Sequence, residues 1–331
     1  MPVSNPIRRS AHGLLRVLAV SAACLCGSSW GFDLQGHRGT RGLEPENTLA
    51  AFERALQIGV TTLEMDAAVT ADGVVVIYHD RALNPAITRD ASGQWVARSD
   101  RLIKSLTHAE LRQFDVGRNN QSTDYGRQFP HQQPRDGERI PTLAEVFAKV
   151  KALGADQVRF DIETKIDPNH PDQTLPPEAF VDALLKVIRE AGMASRVMVQ
   201  SFDWRTLQLI QRLEPEIQTM YLTVRGRNRD TFDGGTWTAG RLLRDHASPA
   251  HMVKAAGATI WAPFFQNLDA GTVKTAQQLG LMVIPWTVNE GSDAERLIDW
   301  GVDGIISDYP DRIRAVMQRR GLPLPPSIGA R

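Results

Sequence analysis

Short runs of β-branched and apolar residues alternate with amphipathic stretches along most of this chain. The runs predict strands at Asp33–His37, Thr61–Ala67, Gln157–Glu163, Arg196–Ser201, Gln218–Thr223, Thr259–Pro263, Met282–Val288 and Asp303–Ser307. Between them, apolar positions at helical spacing predict helices over Thr48–Ile58, Ala144–Leu153, Pro177–Ala191, Trp204–Leu213, Pro249–Ala256, Ala270–Leu279, Ser292–Trp300 and Pro310–Arg320. Eight strands alternating with helices predict a parallel sheet joined by right-handed crossovers. Eight such units closing on themselves make a (β/α)8 TIM barrel, an α/β fold, with a doubly wound open sheet as the alternative. No G-x-G-x-x-G follows the first strand, so a dinucleotide site lacks support.

The ends of these segments carry boundary chemistry. Thr142 with Glu145, and Thr107 with Glu110, are capping boxes. Gly59, Gly154, Gly192, Gly257, Gly280 and Gly301 each follow a helical stretch, where a left-handed residue ends a helix. One region breaks the alternation. Val74–His79 follows the turn Ala71-Asp72-Gly73 and predicts a hairpin partner for the second strand. Residues 81–139 are then polar and weakly periodic, an insertion whose length favours a lid or substrate contact across the barrel mouth, with a plain surface excursion equally compatible with its composition. The Pro-rich tail 321–331 is expected to fray.

The first thirty or so residues differ from the rest. Arg8 and Arg9 precede an apolar stretch, Leu14–Cys26, interrupted by Arg16, and small residues follow up to Gly31. This layout predicts a signal peptide over 1–31, cleaved near Gly31, and export to the periplasm or the medium. The stretch is too short to span a bilayer well. A lipidated Cys24 is an alternative that matches poorly, and Arg8-Arg9 only weakly suggests twin-arginine export. With the leader go both cysteines, Cys24 and Cys26, so the mature chain of 32–331 relies on neither disulfides nor thiols.

Composition narrows the chemistry. The 331 residues are 42% hydrophobic and 23% charged, the profile of a globular enzyme-sized domain. The formal net charge of zero becomes about −3 without Arg8, Arg9 and Arg16, which argues against a nucleic-acid partner. Oligomeric state is not legible.

In a parallel barrel the working residues gather at the C-terminal ends of strands. His37 and Arg38 end the first predicted strand, Glu64 and Asp66 the second, and Glu163 and Lys165 the third. Residues two apart on a strand face the same way, so Glu64 and Asp66 share a face. Two inward carboxylates repel unless positive charge lies between them. Glu64, Asp66 and Glu163 offer an all-oxygen shell that suits one Ca²⁺ or Mg²⁺ rather than zinc; the competing reading is exposed or salt-bridged acids. His37 and His79 are proton-transfer candidates, against a structural role for each. Arg38 and Lys165 offer charge to phosphoryl oxygens, with an Arg38–Glu46 ion pair as the alternative. These are the parts of a metal-dependent phosphate-ester hydrolase.

The stretch from His37-Arg38-Gly39 through Pro45-Glu46-Asn47-Thr48 and Glu64-Met65-Asp66 to His79-Asp80 resembles the glycerophosphodiester phosphodiesterases. So do Asp161–Lys165, Gln200–Asp203, Trp286–Asn289 and Gly301–Asp308, which extends the resemblance from Gln35 to about Asp311. The resemblance implies a TIM barrel that hydrolyses glycerophosphodiesters, such as glycerophosphocholine and glycerophosphoethanolamine, to sn-glycerol 3-phosphate and an alcohol. It implies Glu64, Asp66 and Glu163 as metal ligands, and His37 and His79 as the general acid–base pair. Arg38 and Lys165 would contact phosphate, and Glu46 would support the metal site or bind glycerol. Trp286 would wall the substrate pocket or simply pack the barrel. Thr164 departs from the family's apolar preference and is expected to face away from the pocket.

Water or the substrate's own 2-hydroxyl serves as nucleophile; the order in which the histidines act stays open. Two competing readings are a lysophospholipase D-type enzyme and a non-catalytic glycerophosphodiester-binding protein. The first needs an apolar pocket, for which Trp95, Phe114, Trp237, Phe264 and Phe265 are candidates.

Overall fold

A computed structural model describes residues 1–2, 31–227 and 229–329. The leader reading therefore lies almost wholly outside the described residues.

Within the unit Gly31–Arg331, strands and helices alternate as the periodicity predicts. The chain runs β1 (Asp33–Gly36), α1 (Leu49–Ile58), β2 (Thr62–Val69), β3 (Val75–Ile77), two one-turn helices α2 (His108–Leu111) and α3 (Asp124–Arg127), and α4 (Leu143–Ala152). It continues through β4 (Arg159–Thr164), α5 (Pro177–Ala191), β5 (Val197–Ser201), α6 (Trp204–Leu213), β6 (Gln218–Thr223) and α7 (Pro249–Ala255). It ends with β7 (Ile260–Pro263), α8 (Ala270–Gln278), β8 (Met282–Val283), α9 (Gly291–Asp299), β9 (Gly304–Ser307) and α10 (Pro310–Arg319).

The parallel strands lie in the order β8-β7-β6-β5-β4-β2-β1-β9, with β3 antiparallel on β2. Closure runs through backbone bonds between the ends of this path: Asp303 N–H donates to Val283 O at 2.9 Å and Ile306 N–H to Pro285 O at 3.0 Å. The expected strand Met282–Val288 is observed only over Met282–Val283. Pro285 has no N–H to give to a ladder, which cuts the regular pairing short.

Both capping boxes are present: the Thr142 hydroxyl accepts from Glu145 N–H while Glu145 accepts from Thr142 N–H, and Thr107 with Glu110 does the same. The helices bury their apolar stripes on the outside of the barrel, where Phe147 meets Phe160 edge-on at 4.8 Å. The barrel interior is divided. Met198, Met220, Leu222, Ile260, Ala262, Ile284 and Ile306 fill one side. On the other, Asp33 accepts from Thr62 at 2.7 Å and Gln35 at 3.0 Å and pairs with Arg159 at 2.9 Å. The site rises from that polar side.

One expectation is extended and one needs correction. The insertion builds a core of its own besides reaching the site. Leu83, Ile87, Ile103, Leu111, Phe114 and Val116 pack with Val76 and Ala68 of the β2–β3 hairpin into a core of their own. Scattered apolar residues in loops and one-turn helices give no long period, which hid that core. Arg81 and Asn84 at its start and Tyr125 further along reach the site. The tail does not fray within the described residues: Arg314 donates to Pro325 O at 2.7 Å, and Ile328 N–H donates to Leu56 O at 3.0 Å. Tertiary hydrogen bonds hold a segment that has no secondary structure.

Candidate active site

A tight turn after β1 sets the first group of residues. Arg38 has φ 48° and Gly39 φ 82°, and a side chain at Gly39 would come within 2.7 Å of Ala51. This turn aims the Arg38 N–H at Glu64 Oε2, 2.7 Å away, and leaves His37 facing the barrel axis. Asn47, at φ 57°, uses the left-handed region that Asn tolerates and donates through Nδ2 to Asp66 Oδ2 at 2.9 Å.

Glu64 and Asp66 project from β2 and Glu163 from neighbouring β4, with Asp66 in register with Glu163. Ligand oxygens of the three lie within 4.8 Å of one another, and all three side chains are buried. Gln200 Nε2 donates to Glu64 Oε1 at 2.8 Å, and Lys165 Nζ to Glu163 Oε1 at 2.8 Å. Burial and neighbouring Asp66 push Glu64 well above the carboxylate range. Burial would raise Asp66 too, but Arg38, His79 and Lys165 outweigh it and hold Asp66 far below that range. The buried Asp66 Oδ1 has no hydrogen-bond partner among the described residues. A buried oxygen without a hydrogen bond, with Lys165 Nζ 3.6 Å away, and the opposite shifts of adjacent Glu64 and Asp66 fit a hard divalent cation, which favours the ionised form of all three carboxylates.

His37 Nδ1 stands 2.6 Å from Asp308 Oδ1, leaving Nε2 pointed inward, 3.9 Å from Glu64 Oε2. Asp308 also accepts from Arg41 at 2.8 and 3.0 Å and from Asn289 at 2.8 Å. Burial alone would raise Asp308, but Arg41 and His37 hold it well below the carboxylate range. His79 has a parallel arrangement: Nδ1 lies 2.8 Å from Asp80 Oδ1, and Asn84 donates to Asp80 Oδ2 at 2.6 Å. Burial lowers both imidazoles from their ordinary value, assisted by Arg41 and Arg38 at His37 and by Arg38 and Lys165 at His79. Both are thus neutral near pH 7, with Nδ1–H given to a carboxylate.

Arg38 does pair with Glu46, at 2.7 Å, while its Nε lies 3.2 Å from Asp66 Oδ2. Tyr125 from the insertion donates its hydroxyl to Glu46 and lies 3.5 Å from Arg38. Glu46 is thereby turned to Arg38 and Tyr125 rather than to the acidic triad. Thr164 faces outward, its hydroxyl 2.9 Å from both Ser201 and Thr206 hydroxyls.

A cavity of about 200 Å³ collects His37, Arg38, Glu64, His79, Glu163, Lys165 and Trp286. Trp286 lines it while donating Nε1 to Ala262 O at 2.8 Å and packing on Phe202 and Phe264. A wider cavity of about 480 Å³ adjoins it and shares His79, Glu163, Lys165, Phe202 and Arg229. The five aromatics considered for an acyl groove are dispersed. Trp237 lines the wider cavity and Phe264 backs Trp286; Phe265 packs on Phe264, Phe114 is in the insertion core, and Trp95 lies beside Arg89.

The sequence reading assigned no role to Asp308, Asn289, Arg41, Gln200, Asn47, Asp80 or Tyr125. Asp308 lies just past β9, Asn289 just past the expected strand end at Val288, and Gln200 in β5 near its end, so strand-end position was an available signal for these three. Tyr125 had none, since only folding of the insertion brings it near.

Acids, imidazoles and cations converging on one concave site at the strand C-termini make this a small-molecule enzyme of the barrel class. The chain matches the glycerophosphoryl diester phosphodiesterase family over residues 37–312. It is 30% identical over 285 residues to a glycerophosphodiester phosphodiesterase from Caldanaerobacter subterraneus subsp. tengcongensis, covering 86% of this chain and 97% of the relative. A Silicibacter pomeroyi DSS-3 protein described as a glycerophosphoryl diester phosphodiesterase has a solved structure that is 36% identical. It superposes with a TM-score of 0.79 over 88% of this chain and 95% of that one. A phosphodiesterase from Oleispira antarctica, solved with its product sn-glycerol 3-phosphate, shares the fold at 24% identity and a TM-score of 0.65, over 88% of this chain and 98% of that one. The chain belongs to the glycerophosphoryl diester phosphodiesterase family and is an enzyme with that activity.

Proposed function

We propose that this enzyme hydrolyses glycerophosphodiesters to sn-glycerol 3-phosphate and an alcohol, with one divalent cation and a His37/His79 acid–base pair. The observation that carries the reading is the convergence of two carboxylate-oriented imidazoles on one acidic triad. Glu64, Asp66 and Glu163 would hold the cation, Mg²⁺ or Ca²⁺ by the hardness of their oxygens. When bound, it supplies Lewis-acid stabilisation to the phosphoryl oxygens. The Oleispira relative's product supports the glycerol 3-phosphate end of the reaction.

Arg38 and Lys165 line the cavity and neutralise the charged phosphoryl group. His37, neutral and fixed through Nδ1, presents Nε2 as base to the nucleophile, water or the glycerol 2-hydroxyl. Asp308 stabilises the imidazolium that forms and stays ionised because Arg41 holds it so. His79 would protonate the departing alcohol, a role supported by its lining both the cavity and the wider opening beside it. The wider opening admits the head group, and the enclosed side takes glycerol.

Export belongs to the proposed function, supported by the leader composition, Arg8-Arg9 ahead of Leu14–Cys26, and tested by the intact mass of the secreted protein. No helix among the described residues is long and apolar enough to cross a membrane.

The test of the reaction is release of glycerol 3-phosphate from glycerophosphocholine, glycerophosphoethanolamine and glycerophosphoglycerol, with Mg²⁺ or Ca²⁺ and with a chelator. Chelator-sensitive release supports the reading. Release that survives complete chelation removes the cation from it.

A further inference from the structure

We infer that Arg229 makes the wider cavity a subsite for polyhydroxy or anionic head groups and disfavours cationic ones such as choline. The inference rests on the hydrolase reading above.

Most charged side chains lining that cavity already have partners. Arg81 pairs with Asp167 at 2.6 Å and Lys165 with Glu163 at 2.8 Å. Asp80 takes His79 at 2.8 Å, and Asp230 takes Arg225 at 3.4 Å. Arg229 is the exception: among the described residues it has no carboxylate oxygen within the 4.0 Å of an ion pair. It is exposed at the mouth and lays its guanidinium over two rings, 4.0 Å from the Phe202 centroid and 5.4 Å from that of Trp237.

A quaternary ammonium group is recognised by open aromatic faces and by free carboxylates. Here Arg229 already covers the faces of Phe202 and Trp237, and the carboxylates are engaged. A choline arm would meet a like charge with no compensating contact. Hydroxyl, phosphate or carboxylate oxygens of a head group would instead accept from guanidinium N–H groups, which have five donors in a planar fork. Arg229 also lines the enclosed cavity, so it is positioned beside the bond that breaks as well as the head group.

The experiment compares kcat/KM for glycerophosphoglycerol and glycerophosphocholine in the wild-type enzyme and in Arg229→Met and Arg229→Lys. Wild type is expected to favour glycerophosphoglycerol by about tenfold or more, the scale of one unscreened like-charge contact near a protein surface. Arg229→Met is expected to bring the two within about threefold, chiefly by lowering KM for glycerophosphocholine, while Arg229→Lys keeps the preference because the charge remains. An unchanged ratio in an active Arg229→Met, or a wild-type preference for choline, overturns the inference and leaves the hydrolase reading standing. Absence of turnover of either diester by wild type overturns both.

Discussion

His37 Nδ1 and Asp308 Oδ1 lie 2.6 Å apart although 271 residues separate them in the chain. They meet because β1 and β9 are neighbours in the closed barrel, with Gly36 in register with Ser307. The contact fixes which imidazole nitrogen faces the cavity. Asp308→Asn should therefore lower kcat by about 10²-fold or more with little change in KM. Steady-state kinetics on the purified variant check this; a proportional rise in KM with unchanged kcat would place Asp308 in substrate binding instead.

The same carboxylate predicts a pH effect on stability. Burial opposes its ionisation, but Arg41 and His37 hold its folded pKa well below the unfolded value. Its contribution is therefore fully present above the unfolded pKa of about 3.9 and is lost as pH falls from there toward the folded value. Melting temperatures between pH 5 and 3 should fall more steeply for wild type than for Asp308→Asn. Parallel curves would show that the folded environment does not favour this carboxylate.

Replacing either imidazole should be severe. His37→Ala and His79→Ala should each reduce kcat by roughly 10²–10⁴-fold while the fold persists. Circular dichroism controls for folding, and rates near wild type would remove the residue concerned from the mechanism. A substrate lacking the glycerol 2-hydroxyl separates the two nucleophiles, since full turnover requires water attack.

Asp66→Asn removes the triad carboxylate that Arg38, His79 and Lys165 hold far below the usual range, and leaves Arg38 and Lys165 without its charge. Titration calorimetry with Mg²⁺ and Ca²⁺ should show binding to wild type weakened or abolished in Asp66→Asn, with chelator-sensitive activity lost in parallel. Cation binding of equal strength in the variant would move the ligand set elsewhere.

Tyr125 carries one of the insertion's contacts with the site. Burial and Glu46 raise its pKa, so its hydroxyl stays protonated and donates to Glu46, which in turn holds Arg38. Tyr125→Phe removes one hydrogen bond worth about 0.5–1.5 kcal/mol and should lower kcat/KM about 3- to 10-fold. A neutral result would remove the Tyr125 hydroxyl from the machinery of the site.

Local patterns in the sequence pointed to alternating strands and helices and to a cluster of chemical groups at the strand ends, while closure into a barrel rather than an open sheet came from the fold. Strand and helix periods, capping boxes and helix-ending glycines are local signals, read over a few residues. Because strand ends of this fold meet at one mouth, the clustering of His37, Glu64, Asp66, Glu163 and Lys165 was also legible, as was the outward face of Thr164. Tertiary structure alone decided the partners. The bonds His37–Asp308, Glu64–Gln200 and Glu46–Tyr125 join residues 271, 136 and 79 positions apart. Nothing local records such pairings: they arise only when the sheet closes and the insertion docks. The insertion's own core and the docked tail escaped notice for the same reason, since scattered apolar residues and captured carbonyls have no period. The chemistry is written at strand ends; the orientation and electrostatic state of each group belong to neighbours that folding supplies.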